Sequence, residues 1–281
     1  MAPHLLHVRR ALSYVFQKID EDEANTMSNA KVPAKILMVL HQERSTPGRV
    51  GVILRSFGFN LDIRRPSLGS ALPRGLDEHA GVVVFGGPMC ANDNFDWLRR
   101  EIDWLARPLR DHKPILGLCL GAQLLARQLG SSVYTFDDRR GELGYHHLRP
   151  TAVGDAICAV PFPRKAYQWH FDGFDLPRGA HCLAEGSADF PNQAYLYGRN
   201  AIGLQFHPEV TYQMICRWTA RNTDRLAILN GQRRYDQLDG WFQYDQSVER
   251  WLSCFLRQWV SDKLGINLKT SDVPPFAIAA E

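Results

Sequence analysis

Short apolar runs alternate with amphipathic stretches through the first half of this chain. Apolar runs of strand length occupy residues 36–40 and 81–85, and a shorter strand is predicted at 60–64. Helical patterns separate them, at 47–57 and at 95–109, where apolar residues fall on one stripe of the helix. Continuous apolar strands that alternate with helices predict an α/β fold, with a mostly parallel central sheet flanked by helices. In such sheets, ligands bind beyond the carboxyl ends of the strands.

Beyond Gly130 the predicted strands become shorter and more polar, which indicates an antiparallel extension of the same domain. Another apolar strand follows at 201–206, and helices are predicted at 211–229 and 247–264, with a polar and aromatic stretch at 233–244. The strands of the extension are expected at Val133–Phe136, Gly144–Leu148, Ala156–Val160, Ala166–Trp169, His181–Glu185 and Gln193–Tyr197.

The chain divides into three predicted segments. Residues 1–34 form an N-terminal extension, in which the spacing predicts a short amphipathic helix from Leu5 to Ile19. Residues 35–215 form the α/β domain, and residues 216–281 a C-terminal helical extension packed on it. We expect no catalytic role for the N-terminal extension.

The composition narrows the class of function. A formal net charge of +3, with no block of like charge, argues against a nucleic-acid or membrane partner. No apolar stretch approaches the roughly 20 residues that a membrane span requires. The six cysteines form no C-x-x-C pair and no metal-finger spacing, which is typical of reduced thiols in the cytoplasm. We therefore expect a cytoplasmic protein without a metal or other cofactor.

One cysteine stands where a strand becomes a helix. The strand at 114–118 runs directly into a helical pattern, and Cys119 lies between Gly117 and Gly121. This is the spacing of a tight strand-to-helix elbow, in which glycines let the backbone crowd the turn and expose a nucleophile. The N–H groups at the start of the helix favour the thiolate form of such a cysteine. A buried structural cysteine is the alternative interpretation.

A histidine and a carboxylate follow the apolar strand at 201–206. His207 comes directly after this strand, Pro208 stiffens the exit, and Glu209 can turn back toward the imidazole ring. A carboxylate in that place would fix the tautomer of the ring and support its positive charge. The alternative is a strand-end histidine next to an acid that caps the following helix.

Three motifs in order resemble those of the class I (triad) glutamine amidotransferases. They are Gly-Gly-Pro at 86–88, Gly-Leu-Cys-Leu-Gly-Ala-Gln at 117–123 and Gln-Phe-His-Pro-Glu at 205–209. The resemblance covers about residues 35–215 and implies a flavodoxin-like fold. In that family, a cysteine attacks the side-chain amide of glutamine, giving a γ-glutamyl thioester and ammonia, and water then releases glutamate.

The resemblance assigns roles to individual residues. Cys119 would be the nucleophile, His207 the general base and acid, and Glu209 the carboxylate that orients His207. The N–H groups of Gly87 and Leu120 would form the oxyanion hole. The adjacent glycine at position 86 leaves the backbone bare at the reacting centre, and we assign Gly86 to substrate binding.

Two further residues are expected at the substrate. Gln123 lies one helical turn beyond Cys119 and would help to hold glutamine, although an exposed helix glutamine is an equal alternative. The stretch around His170 resembles the Ser-His-x-Asp segment of the family, with Trp169 where serine is usual. His170 either lines the pocket or is a structural histidine.

The favoured function is hydrolysis of the glutamine amide, with ammonia passed to an acceptor that the sequence does not identify. Either a separate synthetase subunit receives the ammonia, or the enzyme acts alone. We expect no synthetase domain after residue 215, and we find no Walker-type phosphate loop. The first alternative is a γ-glutamyl peptidase or hydrolase that uses the same thioester on γ-glutamyl compounds. A non-catalytic regulator of the same fold is the second, against which the complete triad argues.

Overall fold

The computed structural model describes residues 35–221 and 231–261, so the helix predicted at Leu5–Ile19 lies outside the described residues. The strands are β1 Lys35–Val39, β2 Asn60–Arg64, β3 His79–Val84, β4 Ile115–Leu118, β5 Val133–Thr135, β6 Glu142–His147, β7 Arg149–Pro150, β8 Lys165–His170, β9 Asp172–Phe174, β10 His181–Glu185, β11 Asn192–Tyr197 and β12 Ala201–Leu204. The helices are α1 Gly48–Ser56, α2 Asp96–Trp104, α3 Ala106–Arg110, α4 Leu120–Gln128, α5 Ala152–Ala156, α6 Tyr212–Arg221 and α7 Arg234–Val260, and a 3₁₀ turn spans Pro66–Leu68.

An eight-stranded sheet in the order β2-β1-β3-β4-β12-β11-β10-β7 forms the centre of the domain. The five strands from β2 to β12 pair in parallel, and β11, β10 and β7 extend the sheet in antiparallel fashion. Two smaller sheets pair β5 with β9 and β6 with β8. The α/β fold with a mostly parallel central sheet is therefore confirmed.

The central strands are apolar on both faces because both faces are covered. Along β1, Ile36 and Met38 belong to the hydrophobic core on one side of the sheet, and Leu37 and Val39 to the core on the other. All four side chains are fully buried. Burial of each such side chain contributes roughly 1.5–3 kcal/mol, so the parallel half of the sheet is a rigid base for the loops that follow its strands.

The single helix predicted at 95–109 is wrong, because the structure divides it into α2 and α3 at Leu105. Pro108 explains the division. In a continuous helix its nitrogen would have to donate to the carbonyl of Trp104, and proline has no N–H group. As the third residue of α3, Pro108 occupies the first turn, where a missing donor costs little.

The strand predicted at Ala156–Val160 is also wrong. Residues 152–156 form α5, and the Thr151 hydroxyl accepts a hydrogen bond from the N–H of Gly154 at 3.1 Å, which caps the start of this helix. Gly154 packs so closely on β10 that a Cβ atom there would lie 1.9 Å from the carbonyl oxygen of Leu183.

The C-terminal helix α7 is one continuous element of 27 residues, where the sequence predicted a helix only from residue 247. Its inner face completes the core on one side of the sheet with Trp251, Phe255 and Trp259, all fully buried. The Trp259 indole N–H donates to the carbonyl of Asn200 at 3.3 Å. None of the helices in the described residues is long and apolar enough to cross a membrane.

Candidate active site

The backbone at Cys119 turns sharply between β4 and α4. Cys119 has φ 50° and ψ −109°, a left-handed conformation that a non-glycine residue rarely adopts. The flanking glycines make this turn possible, because a Cβ atom on Gly117 would lie 2.5 Å from the carbonyl oxygen of Gly121. The N–H of Cys119 donates to the carbonyl of Leu204 at 2.8 Å, which ties the elbow to β12. The strain is held by the sheet, as expected for a functional turn.

His207 and Glu209 form a buried pair beyond the end of β12. Nδ1 of His207 lies 2.7 Å from Oε1 of Glu209, and the two residues are 5% and 3% exposed. Since the carboxylate accepts, Nδ1 donates to it, and Nε2 is the nitrogen that remains for proton transfer. Within the described residues, Nε2 of His207 has no hydrogen-bond partner.

The pKa of His207 is shifted by competing effects. Burial alone would lower it, but the carboxylate of Glu209 and the sulfur of Cys119 raise the pKa to about 10. Cys119 thus lies near enough to act electrostatically on the ring, although Nε2 and the sulfur do not meet hydrogen-bond geometry. The Cys119 thiol instead contacts the carbonyl of Trp169 at 3.9 Å.

Gly86 and Gly87, after β3, bring the backbone against these side chains. A Cβ atom on Gly86 would lie 2.9 Å from Cε1 of His207 and 3.4 Å from Cβ of Cys119. A Cβ atom on Gly87 would lie 2.9 Å from Cδ2 of Leu120. Leu120 is the first residue of α4, so its N–H has no acceptor within the helix. Cys119, His207 and both predicted oxyanion donors therefore meet at the carboxyl ends of neighbouring strands.

Gln123 and His170 both line the cavity that opens above Cys119, and both also form hydrogen bonds with other protein groups. Gln123 is only 2% exposed, and its amide nitrogen donates to the carbonyl of Asp172 and to Oε1 of Gln205, each at 3.2 Å. Nδ1 of His170 lies 3.1 Å from the same Asp172 carbonyl, and Nε2 lies 3.2 Å from Oε2 of Glu142. Both ring nitrogens of His170 thus have protein partners.

Arg49 was not predicted from the sequence, and it contacts the segment that carries Glu209. Its N–H donates to the carbonyl of Glu209 at 2.9 Å. Its guanidinium donates to the carbonyl of Val210 at 3.1 Å and to Asp245 on α7 at 2.6 Å. Helix α7 is therefore linked to the segment that carries Glu209. No local pattern signals this link, because Arg49 and Asp245 are 196 residues apart in the chain.

His41 and Glu101, which were also not predicted from the sequence, form a fully buried pair, in which Nε2 of His41 lies 2.9 Å from Oε1 of Glu101. Signals for both exist. His41 follows β1 at the same edge of the sheet as Cys119, and Glu101 lies three residues beyond Leu98 on the apolar stripe of α2.

The cavity above Cys119 has a volume of about 750 Å³, within the range of small-molecule sites. Its lining includes Met89, Trp169 and Trp218, together with Gly86, Gly87, Cys119, Leu120, Gln123, His170, His207 and Glu209. Within residues 35–221 and 231–261, no group of three or more His, Cys, Asp or Glu residues is arranged to hold a metal ion.

Comparison with known proteins identifies the class to which this site belongs. The family model of glutamine amidotransferase class-I matches residues 53–215, which is more than half of the chain. A glutamine amidotransferase from Thermotoga maritima of known crystal structure superposes with a TM-score of 0.73 and 30% sequence identity, covering 82% of this chain and 99% of that one. The chain belongs to the class I glutamine amidotransferases, a family of enzymes.

Individual relatives show how far along the chain the similarity extends. The glutamine amidotransferase-like protein YfeJ of Salmonella typhimurium is 28% identical over 208 residues, 71% of this chain and 85% of YfeJ. The GMP synthase (glutamine-hydrolyzing) of Aeropyrum pernix is 35% identical over 190 residues, 66% of this chain but only 33% of that synthase. A glutamine amido transferase from Methylobacillus flagellatus shares the fold, with a TM-score of 0.76 at 22% identity.

Proposed function

We propose that this protein hydrolyses the side-chain amide of glutamine to glutamate and ammonia through a γ-glutamyl thioester on Cys119. The observation that carries the proposal is the His207–Glu209 pair, with Nδ1 of the histidine 2.7 Å from the carboxylate and Nε2 unpartnered within the described residues. A histidine oriented in this way beside a cysteine at a strained elbow is the arrangement of an activated nucleophile.

In the first half of the reaction, Nε2 of His207 takes the proton of the Cys119 thiol, and the thiolate sulfur attacks the amide carbon while the carbonyl electrons move onto oxygen. The N–H groups of Gly87 and Leu120 stabilise this oxyanion. When the tetrahedral intermediate collapses, the C–N bond breaks and the protonated His207 gives its Nε2 proton to the leaving nitrogen, so that ammonia departs. Glu209 stabilises the imidazolium throughout.

In the second half, water replaces ammonia. His207 takes a proton from a water molecule while the oxygen of that water attacks the thioester carbon. The N–H groups of Gly87 and Leu120 bind the second oxyanion. The C–S bond then breaks, and the proton from His207 returns to the sulfur. Gly86, Gln123 and His170 hold the substrate over this centre, the last two as parts of a buried network that fixes the cavity wall.

The ammonia acceptor, we propose, is a separate synthetase subunit. The chain spans only about a third of the length of the A. pernix GMP synthase that it matches. We assign residues 1–34 and 216–281 to extensions around the amidotransferase domain, and the domain itself to residues 35–215.

The test is glutamate and ammonia release from glutamine by the purified chain. Cys119→Ala should abolish release, since the nucleophile is removed, and Cys182→Ala provides the matched control because this half-buried thiol lies outside the cavity. Release that survives Cys119→Ala contradicts the proposal. A folded wild-type protein that binds glutamine without releasing glutamate supports the alternative of a non-catalytic regulator with the same fold.

A second candidate is hydrolysis of γ-glutamyl compounds, which the size of the cavity favours. Glutamine loses only ammonia, yet the 750 Å³ cavity extends past Cys119 to Trp169, Trp218 and Arg217, which would surround a larger leaving group. We would compare kcat/KM for glutamine with that for γ-glutamyl dipeptides. A dipeptide preference above about tenfold, or ~1.4 kcal/mol, would favour this alternative.

A further inference from the structure

His41 lies directly behind the loop that carries the oxyanion hole. It follows β1, it is 1% exposed, and it is not part of the cavity wall. Its Nδ1 atom lies 3.2 Å from the carbonyl oxygen of Gly86. Since a carbonyl oxygen can only accept a hydrogen bond, Nδ1 of His41 must carry the proton and donate it to Gly86.

The other ring nitrogen of His41 is held by a buried carboxylate. Nε2 lies 2.9 Å from Oε1 of Glu101, whose side chain is fully buried on α2. Burial opposes a charge on the ring, but Glu101 and the Gly86 carbonyl together raise the pKa of His41 above its usual value. The ring is thus fixed at both ends, by α2 on one side and by the Gly86 carbonyl on the other.

The carbonyl that His41 holds belongs to the same peptide group as the N–H of Gly87. A trans peptide is planar, so its C=O and N–H bonds point in opposite directions and fixing one fixes the other. A Gly-Gly segment has little conformational preference of its own, and only outside contacts can select one orientation. The carbonyl of Gly86 points at His41, behind the cavity. The N–H of Gly87 must therefore point away from His41.

We propose that His41, anchored by Glu101, is a positioning residue that aims the N–H of Gly87 into the oxyanion hole. This inference rests on the proposed function, because it requires an oxyanion to form on substrate bound at Cys119. The hydrogen bond from His41 also polarises the Gly86–Gly87 peptide, which makes the N–H of Gly87 a stronger donor. The pair itself touches neither substrate nor sulfur.

Two substitutions at residue 41 separate its two hydrogen bonds. In His41→Asn, the side-chain amide nitrogen takes the place of Nδ1 and can still donate to Gly86. In His41→Gln, it takes the place of Nε2 and reaches only Glu101. Because loss of an oxyanion donor typically costs about 10²–10³-fold in kcat, we expect a misaimed donor in His41→Gln to cost ~10–100-fold. KM should change by less than about threefold, since the oxyanion exists only in the transition state.

His41→Asn should retain kcat within about fivefold of the wild type if it keeps the donor in place. The matched control is His79→Asn, whose amide nitrogen takes the place of Nδ1 and so loses another buried histidine–carboxylate contact, that of Nε2 of His79 with Asp62 at 3.2 Å, at the far end of β3. It should lower the melting temperature without lowering kcat. If His41→Gln does not fold, Glu101→Ala, which leaves the ring and removes its anchor, should show the same fall in kcat at constant KM.

Two readouts distinguish positioning from general damage. Alkylation of Cys119 by iodoacetamide forms no oxyanion, so its rate should be the same in His41→Gln and the wild type. The amide ¹⁵N resonance of Gly87 reports the hydrogen bond on the preceding carbonyl, and it should shift in His41→Gln but not in His79→Asn. Unchanged kcat in folded His41→Gln, or an unmoved Gly87 resonance, overturns the inference. A wild type that releases no glutamate overturns the proposed function instead, and the Gly87 resonance then decides the role of His41 alone.

Discussion

Two buried histidine–carboxylate pairs lie beside the same cavity and differ in whether the second ring nitrogen of the histidine has a hydrogen-bond partner. His207 contacts Glu209 at 2.7 Å and His170 contacts Glu142 at 3.2 Å, and all four residues are at most 5% exposed. The second nitrogen of His170 bonds to the carbonyl of Asp172, whereas that of His207 has no hydrogen-bond partner in the described parts of the chain. Both histidines are buried and both contact a carboxylate. The unpartnered nitrogen therefore distinguishes His207, a candidate general base, from His170, whose ring is held in the hydrogen-bond network of the cavity wall.

The largest expected effect tests the base itself. His207→Gln removes the proton carrier, and general acid–base catalysis contributes about 10²–10⁴-fold, so we expect kcat to fall by roughly 10³-fold. Steady-state glutamate release measures this, with circular dichroism to establish folding. A fall of less than about tenfold in a folded variant would remove His207 from the role of base.

Glu209→Gln should have a smaller effect, because the amide oxygen can still accept from Nδ1 although it no longer stabilises the charged ring. Loss of the orienting acid in comparable triads is about 10–100-fold less damaging than loss of the nucleophile, and we expect the same ratio between Glu209→Gln and Cys119→Ala. Equal losses in both folded variants would show that Glu209 does more than orient.

His170→Gln should reduce kcat by less than about tenfold. Both ring nitrogens of His170 are held by protein groups, so the ring is not available to transfer a proton to or from the substrate. The expected change is mainly in KM, because Asp172 and Gln123 share the same network at the cavity wall. A kcat loss as large as that of His207→Gln would erase the distinction between the two histidines.

The difference between the pairs also explains which of them could be read from the sequence. Glu209 lies two residues beyond His207, so the pair is visible as a local motif at a strand end. Glu142 and His170 face each other across β6 and β8, 28 residues apart, and their contact exists only once the register of those strands is known. His41 and Glu101, 60 residues apart, are likewise joined by the fold alone.

The same reasoning applies to the fold. The parallel strands β1, β3, β4 and β12 were predictable because burial on both faces leaves mostly continuous apolar runs. The first half of α7 was not, because its polar surface and Gly240 lack a helical signature. Gly240 is explained by the fold, since a Cβ atom there would lie 2.6 Å from the ring of Tyr145.

The smallest expected effect concerns stability at the two ends of the pH range. The pKa of His207 is raised to about 10, so between its unfolded value of 6.5 and pH 10 the folded protein holds a proton that the unfolded chain releases. This contribution is fully present below pH 6.5 and is lost as the pH rises toward 10. For Glu142, burial alone would raise the pKa, but the hydrogen bond from His170 leaves it below 4.5, so its contribution is lost as the pH falls below that value. Chemical unfolding of the wild type, Glu209→Gln and Glu142→Gln across this range should therefore show that Glu209→Gln flattens only the alkaline decline and Glu142→Gln only the acid one. The reverse assignment, or parallel curves for all three proteins, would mean that neither pair holds its charge in the way the contacts require.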